Sequence, residues 1–237
     1  MLDQLRHWIR RLRRPEGEDP RSKQMPAPVV PGEQVLSDCR IIVLDLETTG
    51  LNQAKDEVIA VGAVAIHNNA IRLADQFDLV LRRPELDISQ TVLIHGIGPE
   101  ALTRGHETED ALLYLLEWMN GDPVLAYHSA FDQGFLEKTL SKTLGYNRSH
   151  TWFDVADLMP AFFPEAKPTG HGLDDWADYF GLEVSARHHA AADALVTAEL
   201  TLAALNRAEK EGCTTLKDFA DRLKYYRRLR NMHHHGH

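Results

Sequence analysis

The pattern of apolar and polar positions changes character several times along the chain. In LDQLRHWIRRLRR, Leu2, Leu5, Ile9 and Leu12 recur at spacings of three and four, with five arginines on the remaining faces. That spacing predicts a basic amphipathic helix over residues 1–14. The apolar period then disappears: residues 15–35 hold five prolines and two glycines among mixed charges, a composition that predicts a flexible linker. A packed domain is expected from Leu36 to about residue 209.

Within that domain the β-branched run from Arg40 to Glu47 predicts a buried strand that breaks at Thr48-Thr49-Gly50. Residues 57–66 and 71–81, joined at Asn68-Asn69, predict two further strands and so an antiparallel meander. Thr108 reads as the cap of an amphipathic helix carrying Leu112, Leu115, Leu116 and Met119, stopped by Gly121 and Pro123. A short strand over 124–127 follows. Helices are predicted over 133–144, 173–180 and 190–208, then a basic carboxy-terminal helix within 210–231 and a His-rich tail over 232–237. Strands followed by alternating helix and strand imply an α/β domain with a mixed sheet.

Composition narrows the function classes. The 237 residues are 43% hydrophobic and 26% charged, and no apolar run approaches the roughly 20 residues needed to span a bilayer. The Arg-rich start lacks an apolar block with a small-residue cleavage site, so neither a membrane-spanning nor a secreted protein is expected. Cys39 and Cys213 lie far apart, without metal-ligand spacing or a disulfide framework. A reducing cytoplasm is the expected location. The formal charge of −9 is unevenly distributed. Residues 1–23 carry seven basic and four acidic side chains, and residues 207–237 eight and four, whereas 24–206 carry 11 and 27. An acidic middle argues against nucleic-acid binding unless its carboxylates hold cations, in which case the basic ends supply phosphate attraction.

Three blocks concentrate the candidate chemistry. Asp45 and Glu47 stand two apart at a strand end, so their side chains share a face at the edge where α/β folds place ligands. Converging carboxylates without a basic neighbour invite a divalent cation, and Thr48, Thr49, Gly50 and Leu51 follow at once, small enough at the glycine for backbone amides to approach a ligand. An isolated Asp-x-Glu also fits a solvated strand end. His128-Ser129-Ala130-Phe131-Asp132 follows a short strand and opens a helix, where Asp132 suits either a first-turn carboxylate or a ligand. Arg187-His188-His189 precedes the helix that carries Asp193 in its early turns. His188 falls on the entry loop, yet a continuous helix would place His189, four residues before Asp193, on the aspartate's face instead.

Taken in order, the blocks resemble the DnaQ-like, or DEDDh, 3′–5′ exonucleases, a family that includes the proofreading epsilon subunit of bacterial DNA polymerase III. The resemblance covers roughly residues 39–205. The family form D-x-E-T-T-G-L is matched by Asp45, Glu47, Thr48, Thr49, Gly50 and Leu51. H-N-x-x-F-D-x-x-F-L is matched by His128, Phe131, Asp132, Phe135 and Leu136 after a one-residue contraction, with Ser129 where Asn is commoner. H-x-x-x-x-D-A selects His188, Asp193 and Ala194. His95-Gly96-Ile97 resembles a family segment near the terminal nucleotide, and Gly172-Leu173-Asp174 the opening of the helix before the third block. Asp154 resembles a supporting carboxylate and is left outside the site.

The resemblance implies a ribonuclease H-like fold, a mixed central sheet flanked by helices. It implies that Asp45, Glu47, Asp132 and Asp193 hold two Mg²⁺ or Mn²⁺ ions, for which oxygen-only ligation is suited. His188 would be the general base of a two-metal hydrolysis, an imidazole being able to accept a proton near neutral pH. Thr48, Thr49, Leu51 and His95 would contact the terminal nucleotide. The expected reaction releases nucleoside 5′-monophosphates from single-stranded or frayed DNA 3′ ends, as in proofreading and repair. Thr48-Thr49 resembles the epsilon-like branch more than the oligoribonuclease branch, so short RNA is the alternative substrate. A noncatalytic nucleic-acid binding module on the same fold is the alternative class. A phosphotransferase with Asp45 as nucleophile fits less well, since the usual Asp-x-Asp and a suitably placed downstream lysine are missing. The amino-terminal helix suits a protein partner, nucleic-acid phosphate or an anionic membrane surface. Tyr225, Tyr226, Arg227, Arg228 and Arg230 fit a capping helix with a basic face better than a single-strand binder.

Overall fold

The structure, a computed structural model, describes residues 17–86, 88, 96–184 and 187–234. The predicted amino-terminal helix, His95 and the last three residues of the tail lie outside the described residues. Five strands form one sheet: β1 Ile41–Thr48, β2 Val58–His67, β3 Ala70–Val80, β4 Val124–Ala126 and β5 Trp152–Asp154. Their order is β3-β2-β1-β4-β5, antiparallel across the first three and parallel from β1 through β4 to β5. The helices are α1 Pro99–Arg104, α2 Thr108–Met119, α3 Ala130–Leu144, α4 Val155–Phe162, α5 Leu173–Phe180, α6 Ala190–Lys210 and α7 Leu216–His234. This is the mixed, helix-flanked sheet that the sequence implies.

Strand alternation divides the core into two layers. Ile41 and Val43 of β1 join Leu158, Phe162, Trp176, Leu200 and Phe219 on one face, where α4 to α7 pack. Ile42, Leu44 and Leu46 join Leu112, Leu116, Phe135 and Leu140 on the other, against α2 and α3. Each such buried side chain contributes roughly 1.5–3 kcal/mol relative to exposure. The two-residue period therefore puts Asp45 and Glu47 on the layer of Ile41 and Val43, beneath α6.

Several local expectations are corrected. Residues 17–35 do not behave as a flexible linker. Asp19 donates its amide to Leu144 O (2.8 Å), Val29 to Gly121 O (2.8 Å), and Gln34 O accepts from Leu216 N (2.9 Å). Arg148 stacks over Tyr146 and donates to the carbonyls of Ser22 and Met25. Prolines and glycines remove regular structure, but the remaining backbone groups find partners across the domain. Helix α2 is entered through Glu107, and Thr108 is its first helical residue, its hydroxyl donating to Arg82 O (3.3 Å) rather than capping. Helix α3 begins at Ala130, which brings Asp132 into its first turn. Helix α7 runs on through His234, into the segment read as a tail. Among the described residues, no helix is long and apolar enough to cross a membrane.

Candidate active site

The carboxyl ends of β1 and β4 and the amino ends of α3 and α6 converge at one edge of the sheet. Asp45, Glu47 and Asp193 each present a carboxylate oxygen within 4.8 Å of the others. Gly62 allows this approach. It pairs with Asp45 across the β1–β2 ladder, and a methyl group there would lie 2.1 Å from the backbone of Ala190 and Ala191. Without a side chain at Gly62, α6 settles onto the sheet and lowers Asp193 toward Asp45. A register shift between Glu47 and Thr48 precedes the last pair of the ladder, Thr48 with Val58.

Asp132 arrives from the opposite layer. It is 3% exposed, and its Oδ1 accepts the Leu46 amide at 3.1 Å. It is not one of the three carboxylates gathered within 4.8 Å. Its charge nevertheless acts on Asp45, which burial and then the charges of Asp132, Asp193 and Glu47 push well above the usual carboxylate range. Burial also pushes Asp132 up, against the lowering effect of its backbone hydrogen bonds. Glu47 is raised to about 7, by burial first and by Asp193 second, with Arg187 opposing.

Two site histidines share an unusual backbone. His128 has φ 59° and His188 φ 61°, in the left-handed region that non-glycine residues seldom occupy. Each amide is held by a carboxylate: His128 N donates to Asp154 Oδ1 (2.9 Å), and His188 N to Asp193 Oδ2 (3.0 Å). Asp154 Oδ1 also accepts the Ala156 amide (3.0 Å), so one side chain caps α4 and sets the turn into α3. His189 is the N-cap of α6 with extended φ −126°, so it is not on a continuous helix with Asp193. His188 lines the cleft. That cleft, of about 280 Å³, is bounded by Asp45, Leu46, Glu47, Tyr127, His128, Gly172, Leu173, Arg187, His188 and Asp193.

The threonines after Glu47 turn their hydroxyls inward. Thr48 donates to Gly50 O (2.7 Å), and Thr49 donates to Asp56 (3.2 Å) while accepting the Glu57 amide (3.1 Å). Their side chains build the loop. Leu51, at its tip, is 84% exposed. Gln53 ties the same loop to the start of α3 through the carbonyls of Ala130 and Phe131, both at 3.2 Å.

Arg187, Tyr127 and Gly62 were given no role from sequence. Arg187 pairs with Asp193 and, through Nε, with Asp174 (2.5 Å). The Tyr127 hydroxyl donates to His171 O (2.6 Å), fastening the end of β4 to the loop before α5. Gly62 carried a usable signal, as a lone glycine in the apolar run Val58 to Ile66 marks close backbone approach. The donor set fits a hard divalent cation. It offers only carboxylate oxygens, with no sulfur ligand in the group, and burial together with neighbouring negative charge raises Asp45 and Glu47.

Comparison with known proteins identifies the family. Residues 42–201 match the RNase_T family model, described as an exonuclease. A DNA polymerase III PolC-type protein of Caldanaerobacter subterraneus subsp. tengcongensis is 30% identical over 193 residues, 81% of this chain and 13% of that protein. The PolC-type protein of Staphylococcus aureus is 28% identical over 214 residues, 88% of this chain and 14% of its own. The chain thus spans about one seventh of these relatives. Among solved structures, E. coli exonuclease I in complex with a dT13 oligonucleotide superposes with TM-score 0.63 and 18% identity, covering 73% of this chain and 42% of that one, which shows a shared fold. With more than half of its length matched by the family model, the chain belongs to the RNase_T exonuclease family of nuclease hydrolases.

Proposed function

We propose that the protein is a 3′–5′ exonuclease that releases nucleoside 5′-monophosphates from single-stranded or frayed DNA, with two Mg²⁺ or Mn²⁺ ions held by Asp45, Glu47, Asp132 and Asp193. The observation that carries this reading is the convergence of Asp45, Glu47 and Asp193 within 4.8 Å in a cleft that His188 also lines. Divalent cations bound there supply Lewis acidity for attack at phosphorus and for departure of the 3′ oxygen. The four carboxylates orient that charge from two sides of the sheet edge. His188, whose backbone amide donates a hydrogen bond to Asp193, takes the proton of the attacking water. Leu51 stands exposed beside the site, where it meets the terminal base, and the backbone around Thr48 and Thr49, its hydroxyls already committed to the loop, meets the terminal sugar. His95 is assigned to the same nucleotide by sequence. The exonuclease I neighbours crystallised with dT13 and dA16 oligonucleotides favour single-stranded DNA over short RNA.

The test is a time course of 3′-end digestion on matched DNA and RNA oligonucleotides, with Mg²⁺, Mn²⁺ or chelator, for wild type and Asp45→Asn. Stepwise mononucleotide release, faster on DNA and lowered about 10³-fold or more in the variant, is expected. Melting in chelator serves as the fold control. The variant should melt no lower than wild type, because one of several mutually repelling acids is gone. Metal-independent release, or equal release by the variant, would sink the assignment.

A further inference from the structure

Arg187 is the one lysine or arginine among the described residues lining the cleft, and hydrolysis as set out above gives it no task. Its guanidinium bridges two unlike carboxylates. Asp193, 8% exposed, belongs to the proposed cation site, whereas Asp174 is 63% exposed and sits in the first turn of α5. A cation ligated by Asp193 and a guanidinium paired with the same carboxylate compete for the same oxygens and repel each other. The arginine must therefore yield Asp193 when a cation enters. Asp174 remains as its exterior anchor, and the released N–H groups then face the cleft.

We propose that Arg187 is an exchange residue: it is the counter-ion of Asp193 in the cation-free protein, and once a divalent cation takes Asp193 it pivots on Asp174 to bind a phosphate of the nucleic-acid strand. The proposal rests on the cation-site reading given above. A guanidinium suits the second task because its planar fork meets two phosphate oxygens at once, and unlike an ammonium it holds that geometry without rearranging its donors. It also keeps the cleft from presenting bare, clustered negative charge to an incoming phosphodiester before cations bind.

The exchange predicts effects of opposite sign from one substitution. Mn²⁺ binding to the full chain would be followed by calorimetry without nucleic acid, for wild type, Arg187→Met and Arg187→Lys. Binding of a dT oligonucleotide with a 3′-terminal phosphorothioate linkage would be followed by anisotropy at saturating Mn²⁺ across a salt series. Arg187→Met should bind Mn²⁺ about tenfold more tightly, yet bind the oligonucleotide more weakly, with its log affinity against log salt shallower by about one phosphate contact. Arg187→Lys should keep the wild-type Mn²⁺ affinity and lose oligonucleotide affinity, since it retains charge without the fork, and it covers the case in which the methionine variant fails to fold. A purely structural arginine would weaken both ligands together. That result, or an unchanged Mn²⁺ affinity in Arg187→Met, overturns the proposal. Failure of the wild type itself to bind Mn²⁺ would remove the cation-site reading and the exchange with it.

Discussion

Strand β1 has acidic groups gathered near both of its ends, and the two gatherings are treated differently. Beside Ile41, Arg40 forks onto Asp75 at 2.8 and 2.9 Å, reaches Asp122 at 2.8 Å and stacks on Trp118, whose indole also donates to Asp75. Asp75 is held below the usual carboxylate range by Arg40, and the lift that burial gives Asp122 is opposed by the same guanidinium. Beyond Leu44, Asp45, Glu47 and Asp193 meet, with Asp132 acting on Asp45 from the other layer and Arg187 as the one arginine among the cleft-lining residues described, and Asp45, Glu47 and Asp132 are raised. One strand therefore separates a matched charge network from a crowded one. Paired charges hold a fold together, whereas crowding costs stability until a cation arrives, which is how a binding site differs from a structural network.

That contrast can be broken or sharpened experimentally. The largest effect is expected from Gly62→Ala, which forces α6 away from Asp45. Nucleotide release should fall about 100-fold, and urea denaturation should show a loss of ~1–3 kcal/mol. Arg40→Met disturbs only the matched end. It should lower stability by about 1–3 kcal/mol, allowing for the partial exposure of its partners, while release per folded molecule stays at the wild-type level. The smallest effect is a pH dependence of the metal-free protein. Glu47 is raised to about 7 in the folded state, so between its ordinary value of 4.5 and that point the native protein holds more protons than the unfolded chain. Stability in chelator should then fall by roughly 1 kcal/mol as pH rises through that window, once screening is allowed for, and keep falling above it while Asp132, raised to about 8, and Asp45 give up their protons. Saturating Mg²⁺ should oppose the fall, because it favours the ionised carboxylates. Melting from pH 5 to 8.5, with and without Mg²⁺, would show whether the two curves diverge in that direction.

The meander was legible because β1 and β2 are largely apolar and rich in Ile and Val, and the helices α2 and α6 because their apolar residues keep a helical period. Strand β5 was missed: three residues, Trp152, Phe153 and Asp154, are too few to show alternation. Helix α4 was missed because it is short and contains Pro160, which reads as a breaker. The ordering of residues 17–35 left little local trace, since partners such as Leu144, Arg148 and Leu216 lie more than 100 residues away in the chain. At the site, the Asp-x-Glu spacing at a strand end pointed to a shared face, and the resemblance ranked His188 above His189. The helix start at Ala190 was needed to separate those two histidines. Arg187 lay inside a block singled out for other reasons, but its carboxylate partners are visible only in three dimensions.

The docked segment before β1 also fixes an order of events during synthesis. Residues 17–36 leave the ribosome before any of the groups that hold them, because Gly121, Leu144, Arg148 and Thr214 are translated later and Leu216 later still. The segment made first among the described residues is thus among the last to be placed. Residues 19–29 can settle once Arg148 is made, whereas 32–36 stay undocked beside a growing sheet until α7 has emerged, and the prolines and charges of the segment give it little tendency to pair wrongly with the exposed strands.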